Sequence, residues 1–232
     1  MSVEGMIPER KQFSIVVLGS FNPEMFQPQW FQRQEIISQE DADFAIDQNS
    51  SVPLIITPQL TLFRTPQMTV QIDAKRFEVK ADKEPLISLI DFVTKTFENL
   101  GSYNIRAFGF NYIANYKVKS IEEYHKIGDA LVPKEYWKEF LQEEVTGNDR
   151  QSGLEFLRMK KQKKDSKGYI LFALQASPYI QNAFMLSCND HNVVEDDNQS
   201  AEYVMDLINK RYEEAFGNMQ KMQIELMERV RI

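Results

Sequence analysis

The sequence is poor in the residues that build disulfides and metal centres. Its 232 residues include one cysteine and two histidines, which excludes an intrachain disulfide and disfavours a site with several His or Cys ligands. The nine glycines form no phosphate-binding loop, nucleophile elbow or dinucleotide fingerprint. These absences argue against the enzyme classes recognised by such motifs, and we predict neither a metal nor a cofactor.

Long apolar runs are also missing. No stretch approaches the roughly 20 apolar residues of a membrane-spanning helix, so we expect no membrane association. The first residues, MSVEGMIPERKQ, are charged and lack an apolar segment, which argues against a signal peptide and predicts a cytoplasmic protein. The net charge of -7 disfavours general binding to phosphate backbones but is compatible with a local basic patch.

What the chain does contain is enough apolar material for a large core. Hydrophobic residues make up 43% of the sequence, with 16 phenylalanines and nine tyrosines. Residues 13–19 read as a buried strand, and residues 52–81 as short strands with a period of two. Apolar residues at helical spacing predict a helix from Pro85 to Leu100. A strand with one aromatic face follows, formed by Phe108, Phe110, Tyr112, Tyr116 and Val118.

The second half repeats this order. A helix is predicted to begin at Ser120, where Glu123 would complete a capping box. Three strands between residues 154 and 189 then lead to a long C-terminal helix from Ser200. We therefore predict a single α+β domain, residues 1–232, with a mainly antiparallel sheet and helices packed on one face. Its two similar strand-strand-strand-helix halves would span roughly residues 1–119 and 120–232.

The same order resembles a known family. The segments DAKRFEVKAD and RAFGFNYIANY, with a helix between them, precede a late strand pair and the closing helix AEYVMDLINKRYEEAF. This arrangement is similar to a sporadically distributed family of bacterial conserved-hypothetical proteins and covers about two thirds of the chain. The resemblance implies a bacterial or phage-related origin and a genome-defence neighbourhood. It implies no agreed activity and no catalytic residues.

The stretch SCNDHNVVEDDNQS brings Cys188 close to His191 and to several acids. In a strand these two side chains point to opposite faces, so we predict a core cysteine rather than a catalytic pair. The acids are expected to favour the N-terminus of the following helix, capped by Asn198 or Ser200. The stretch would become a site only if Asp190 or His191 met the basic hairpin or the first-half acids.

The densest positive segment is RMKKQKKDSK, predicted to form a hairpin arm. Strand alternation would place Arg158, Lys160 and Lys164 on one face, where they could contact phosphates. The alternative is a solvated arm whose lysines protect a sheet edge from aggregation. The candidate nucleic-acid-binding residues are Arg158, Lys160, Lys161, Lys163 and Lys164.

Two apolar surfaces are candidates for protein contact. One is the proline-containing segment FNPEMFQPQWF, and the other is the methionine-rich C-terminal helix. Each either packs on the protein's own sheet or contacts a partner, which for the helix includes a second copy of the chain. The candidate partner-binding residues are Phe21, Phe26, Trp30, Phe31, Met219, Met222 and Leu226.

Three functional hypotheses follow. The leading one is a non-catalytic protein that binds another protein or itself, as a subunit of a bacterial system. The second is nucleic-acid binding through the hairpin at residues 158–167. The third is an enzyme whose carboxylates Asp73, Glu78, Asp190 and Glu195 come together only in the fold.

Overall fold

In the described part of the chain, nine antiparallel strands form one sheet. A computed structural model describes residues 7–47, 52–100, 103–137, 153–164, 167–195 and 199–230. The order across the sheet is β2-β3-β4-β5-β1-β6-β9-β8-β7, which confirms the predicted antiparallel α+β class. The strands are β1 (Arg10–Leu18), β2 (Ile55–Ile56), β3 (Leu60–Arg64), β4 (Thr69–Asp73), β5 (Arg76–Ala81), β6 (Ala107–Lys117), β7 (Phe156–Gln162), β8 (Tyr169–Ala176) and β9 (Ala183–Val193).

The helices pack on one face of this sheet. Phe216 of the C-terminal helix contacts Phe13 of β1 and Phe110 of β6, with ring centroids 5.3 and 5.4 Å apart. Tyr124 stacks on Phe184 of β9 at 4.1 Å. The aromatic residues predicted to share a face of β6 are all buried here. The helices are α1 (Pro28–Arg33), α2 (Gln39–Ile46), α3 (Ile87–Leu100), α4 (Ile121–Leu131) and α5 (Ala201–Val230).

Strands followed by a helix occur twice along the chain, with unequal numbers of strands. β1 and β6 form the central antiparallel pair of the sheet. After β1 the chain forms the four-strand meander β2-β3-β4-β5 and then α3, and after β6 it forms the three-strand meander β7-β8-β9 and then α5. β6 follows α3 in the chain and lies just before residue 119, the predicted boundary between the halves. This arrangement brings β1, β5, β6 and β9 together at the middle of the sheet.

Local sequence signals explain where the helices begin. The Ser120 hydroxyl accepts a hydrogen bond from the Glu123 N–H at 3.2 Å, whereas the Glu123 carboxylate accepts the Lys119 N–H at 2.6 Å. The predicted capping box is thus half formed. At the start of α5, the Ser200 hydroxyl accepts the Tyr203 N–H, as predicted for a helix cap. Within the described residues, no helix combines the length and apolarity needed to cross a bilayer.

Candidate binding site

The face of the sheet opposite the helices is strongly basic. Its strand residues alternate with the buried core residues and are the partners of one another in the strand register. In the nine strands, the charged residues on this uncovered face are Arg10, Arg64, Arg76, Lys80, Lys117, Arg158 and Lys160, with Asp73 and Glu78 as the acids. Basic residues therefore dominate this face although the whole chain carries a net charge of -7.

A row of mostly polar side chains, interrupted by Leu171, crosses the middle of this face. Strand pairing aligns its members side by side, so neighbouring side chains are about 5 Å apart at Cβ. From β7 to β5 the row consists of Lys160, Leu171, Asn189, Asn111, Ser14 and Lys80. A cation thus stands at each end, with uncharged side chains between them.

Hydrogen bonds order the centre of the row. Asn111 donates its amide to the Ser14 hydroxyl at 3.1 Å, and Asn189 donates its amide to the Asn111 oxygen at 2.5 Å. The Asn189 side-chain oxygen is buried and accepts no hydrogen bond. A buried acceptor without a donor is costly, and its burial also keeps this atom out of reach of solvent.

Beside this row lies an acid held between two bases. Glu78 is 4% exposed and pairs with Arg76 at 2.8 Å and with Lys80 at 3.2 Å. One carboxylate offsets only one of the two cations, so this group keeps a net positive charge. Together with Gln12, Ser14, Asn111 and Asn189, these residues line a depression of about 300 Å³.

At the β7 edge of this face, side chains from β7, β8 and β9 stack on one another. The Lys160 ammonium lies 4.2 Å from the centre of the Tyr169 ring, and that ring stacks on His191 at 4.6 Å. Burial lowers the pKa of His191, and the positive charge of Lys163 lowers it further. His191 is therefore a neutral ring at neutral pH and presents a flat, uncharged surface.

The stretch SCNDHNVVEDDNQS does meet the basic hairpin, which was the condition for regarding it as a site. Asp190 forms an ion pair with Lys163 of the basic hairpin, and His191 stacks on Tyr169 of the same hairpin. Lys163 also donates to the Asn192 side chain at 2.7 Å, which in turn accepts from Arg211 of α5 at 3.2 Å. This network lies on the helix side of the sheet and fixes the hairpin to β9 and α5.

The same network corrects the nucleic-acid prediction for the hairpin. Of the five candidates, Arg158 and Lys160 project from the uncovered face, whereas Lys161 has the opposite orientation in the strand register. The ammonium of Lys163 is engaged on the helix side. Lys164 is exposed just beyond the strand. The hairpin therefore contributes two strand cations to the uncovered face, and β5 contributes the others closest to the centre.

Cys188 and His191 lie on opposite faces, as strand parity predicted. Cys188 pairs with Tyr112 in the register and is 1% exposed, and burial raises the pKa of its thiol to about 12. A protonated, buried thiol is not a nucleophile. Among the described residues, no group of three or more His, Cys, Asp or Glu side chains is placed to hold a metal ion.

The four carboxylates of the enzyme hypothesis do not converge. Asp73 accepts the N–H groups of Lys75 and Arg76 in the β4–β5 turn. Glu78 lies on the uncovered face, whereas Asp190 lies on the helix side. Glu195 is exposed and stands 4.0 Å from Lys167. Each acid thus has a separate neighbour, and the arrangement offers no paired acid and base.

The aromatic segment at residues 21–31 is part of the core, which is the first of the two alternatives that the sequence allowed. Phe26 and Phe31 are 0% exposed and Phe21 is 7% exposed. Trp30 is half-buried and packs edge-on against Phe26 at 5.5 Å. The hydroxyl of Thr61 donates to the Pro23 carbonyl at 2.7 Å and holds the segment on β3. These phenylalanines cannot contact a partner in this fold.

The methionine-rich helix also packs largely on its own sheet. Met219 is 3% exposed, and Leu226 is partly buried. The buried Gln223 donates to the carbonyls of Tyr112 and Leu186, which ties the end of α5 to β6 and β9. Met222 remains 37% exposed. Of the three residues predicted for partner contact on this helix, only Met222 is exposed.

Sequence reasoning missed the centre of the site. Ser14 stands inside the apolar run FSIVVLG, which read as a strand buried on both faces. Asn111 and Gly109 alternate with the aromatic residues of β6, and that alternation was the available signal for an uncovered face. A comparison with protein-family models found no match, and neither did a comparison with curated proteins.

Proposed function

We propose that this protein is non-catalytic and binds single-stranded nucleic acid on the uncovered face of its sheet. The observation that carries the proposal is the separation of charge. Seven basic and two acidic strand residues occupy this face in a chain whose overall charge is -7. A local positive field of this kind attracts phosphate backbones and gives a salt-dependent affinity.

The chemistry along the face favours a single strand over a duplex. From Lys160 to Lys80 the row crosses six strands, or about 24 Å at the usual strand spacing of about 4.8 Å. Cations at both ends match phosphates, and the amides of Asn111 and Asn189 match the polar edges of bases. Unpaired bases also stack on aromatic rings, which the Tyr169–His191 pair supplies.

The proposal is tested by fluorescence anisotropy with an oligothymidylate of about 20 nucleotides in low salt. The double variant Arg158→Glu, Lys160→Glu reverses two charges on the face. We expect its affinity to fall at least tenfold. The matched control, Lys210→Glu with Lys221→Glu, makes the same charge change on exposed positions of α5 and should bind like wild type.

Three outcomes would contradict the proposal. The first is no binding by wild type in low salt. The second is an equal loss in the α5 control, which would show that only net charge matters. The third is tighter binding of polyglutamate than of oligothymidylate at matched charge, which would identify an acidic protein as the occupant.

A second candidate function is favoured by one observation at the sheet edge. Among the described strands, β7 has one neighbour, and two of its side chains, Phe156 and Met159, are 51% and 64% exposed. An exposed edge of this kind can accept a strand from another protein. Pairing of β7 with its own copy would place lysines and arginines against one another, so an acidic partner strand is favoured.

This second candidate function agrees with the hypothesis that the protein binds another protein as a subunit of a bacterial system. Such a role would be cytoplasmic and would belong to a bacterial defence system. Its test is affinity purification from a bacterial host with wild type and with Phe156→Ser, Met159→Lys. This function requires a protein that co-purifies with wild type and with Lys210→Glu, Lys221→Glu, but not with Phe156→Ser, Met159→Lys. Equal recovery by all three proteins would remove it.

A further inference from the structure

The depression of about 300 Å³ lies at the middle of the uncovered face. Two short side chains, Ser14 and Ser187, stand there among longer ones, with Lys80 beside Ser14 and Ile113 beside Ser187 in the strand register. Its volume is at the lower end of the range of about 300–1,000 Å³ for small-ligand sites. The depression therefore suits a single small chemical group.

The β5 end of the depression is cationic. Arg76 and Lys80 line it, with side chains that are 43% and 29% exposed. The buried Glu78 lies between them, and its Oε1 pairs with Arg76 whereas its Oε2 pairs with Lys80. The carboxylate thus holds both cations at the depression. Two positive charges and one negative charge leave this end with one net positive unit.

The remaining walls of the depression are uncharged. Ile113 and Leu171 are apolar, and Asn111 and Ser187 are neutral and polar. An anion in the depression is therefore attracted to its β5 end. The Lys80 ammonium has three N–H donors and directs one of them to Glu78 at 3.2 Å, which leaves donors for a ligand.

We propose that the β5 end of this depression, formed by Arg76, Glu78 and Lys80, is a binding site for a single phosphate group. The inference rests on the proposed function, in which this group is a phosphodiester of the bound strand. A phosphodiester carries one negative charge and so matches the net charge of the site. Charge-assisted hydrogen bonds from Lys80 and Arg76 to its two unesterified oxygens hold it there. The site recognises the phosphate and not the base sequence.

The test measures the affinity for oligothymidylate and for an abasic oligonucleotide of equal length by fluorescence anisotropy. Lys80→Gln removes the ammonium from the depression. The matched control is Lys117→Gln, which removes the same charge from the uncovered face at the end of β6, outside the depression. We expect Lys80→Gln to weaken both oligonucleotides at least tenfold. It should also make the slope of the salt dependence shallower by about 0.7. Lys117→Gln should weaken binding by less than about threefold, because salt screens a distant exposed charge.

Two results with the oligonucleotides would overturn the inference. Equal losses in Lys80→Gln and Lys117→Gln would show that only the charge of the whole face matters. A loss confined to oligothymidylate would place a base in the depression. Thermal unfolding of each variant confirms folding. Arg76→Gln, for which we expect the same losses, supplies the test if Lys80→Gln does not fold.

Inorganic phosphate separates this inference from the proposed function. At constant ionic strength, it should raise the melting temperature of wild type and Lys117→Gln more than that of Lys80→Gln, because a bound anion stabilises the folded protein. If this difference is found while neither oligonucleotide binds, the proposed function fails and the phosphate site stands. An equal rise in all three proteins would overturn the phosphate site.

Discussion

The placement of α5 makes a direct stability prediction. Met227 is 0% exposed within the core, whereas Met222, five residues earlier on the same helix, is 37% exposed. Truncating a fully buried methionine to alanine removes its burial and leaves a cavity, at a cost of about 2–5 kcal/mol. We expect Met227→Ala to lower the free energy of unfolding by about 3 kcal/mol. For a chain of this size the melting temperature should fall by about 6–12 °C.

Met222→Ala is the matched comparison, because it makes the same chemical change on the exposed side of the helix. Its cost should stay below about 1 kcal/mol. Urea unfolding followed by circular dichroism measures both values, at two protein concentrations at least tenfold apart. If Met222→Ala costs as much as Met227→Ala, or if the midpoint rises with protein concentration, then α5 pairs with a second copy and its packing on the monomer's own sheet is refuted.

Three further changes probe the region around β9. A Cβ at Gly168 would collide with the backbone carbonyl of His191, so Gly168→Ala should destabilise the protein by about 1–3 kcal/mol in urea unfolding, and a neutral result would contradict the hairpin packing. Cys188 should react with iodoacetamide far more slowly in the native protein than in urea, because burial raises its pKa to about 12; equal rates would contradict its position. The pKa of His191 is lowered from 6.5 by burial, so the folded protein binds fewer protons there than the unfolded chain. The stability associated with this shift is present above pH 6.5 and is lost as the pH falls toward the lowered pKa of the folded state. Wild type should therefore lose more stability between pH 7.5 and 5 than His191→Gln. Parallel stability–pH profiles of the two proteins would contradict the pKa shift.

Much of the fold was predictable because alternation and helical spacing are properties of the chain itself. The aromatic face of β6 and the separation of Cys188 from His191 follow from strand parity alone. The antiparallel class follows from short strands grouped before each helix.

The site was less predictable because it is formed across strands distant in sequence. Ser14, Lys80, Asn111 and Asn189 come from four strands, and only the register makes them neighbours. Likewise, the role of Lys163 depended on Asp190 being within reach on the helix side. The chain predicts which face a side chain takes, but not which face the helices cover.

Tertiary packing also determines that the aromatic segment at residues 21–31 is buried. A proline-containing stretch with several large rings is compatible with either burial or exposure on sequence grounds. The hydrogen bond from Thr61 of β3 to Pro23 and the contact of Phe31 with Phe92 of α3 at 4.8 Å place it against the sheet and this helix. These contacts join residues 30 or more positions apart, beyond the reach of local patterns.

The salt dependence of oligothymidylate binding tests the central claim most directly. Arg76, Lys80, Arg158 and Lys160, offset by Glu78, give a net charge of about three positive units near the polar row, and each unit contributes about 0.7 to the slope for a single strand. We predict that the logarithm of the association constant falls with the logarithm of salt concentration with a slope of about -2. A slope near zero for wild type would contradict the claim that this face binds a phosphate backbone.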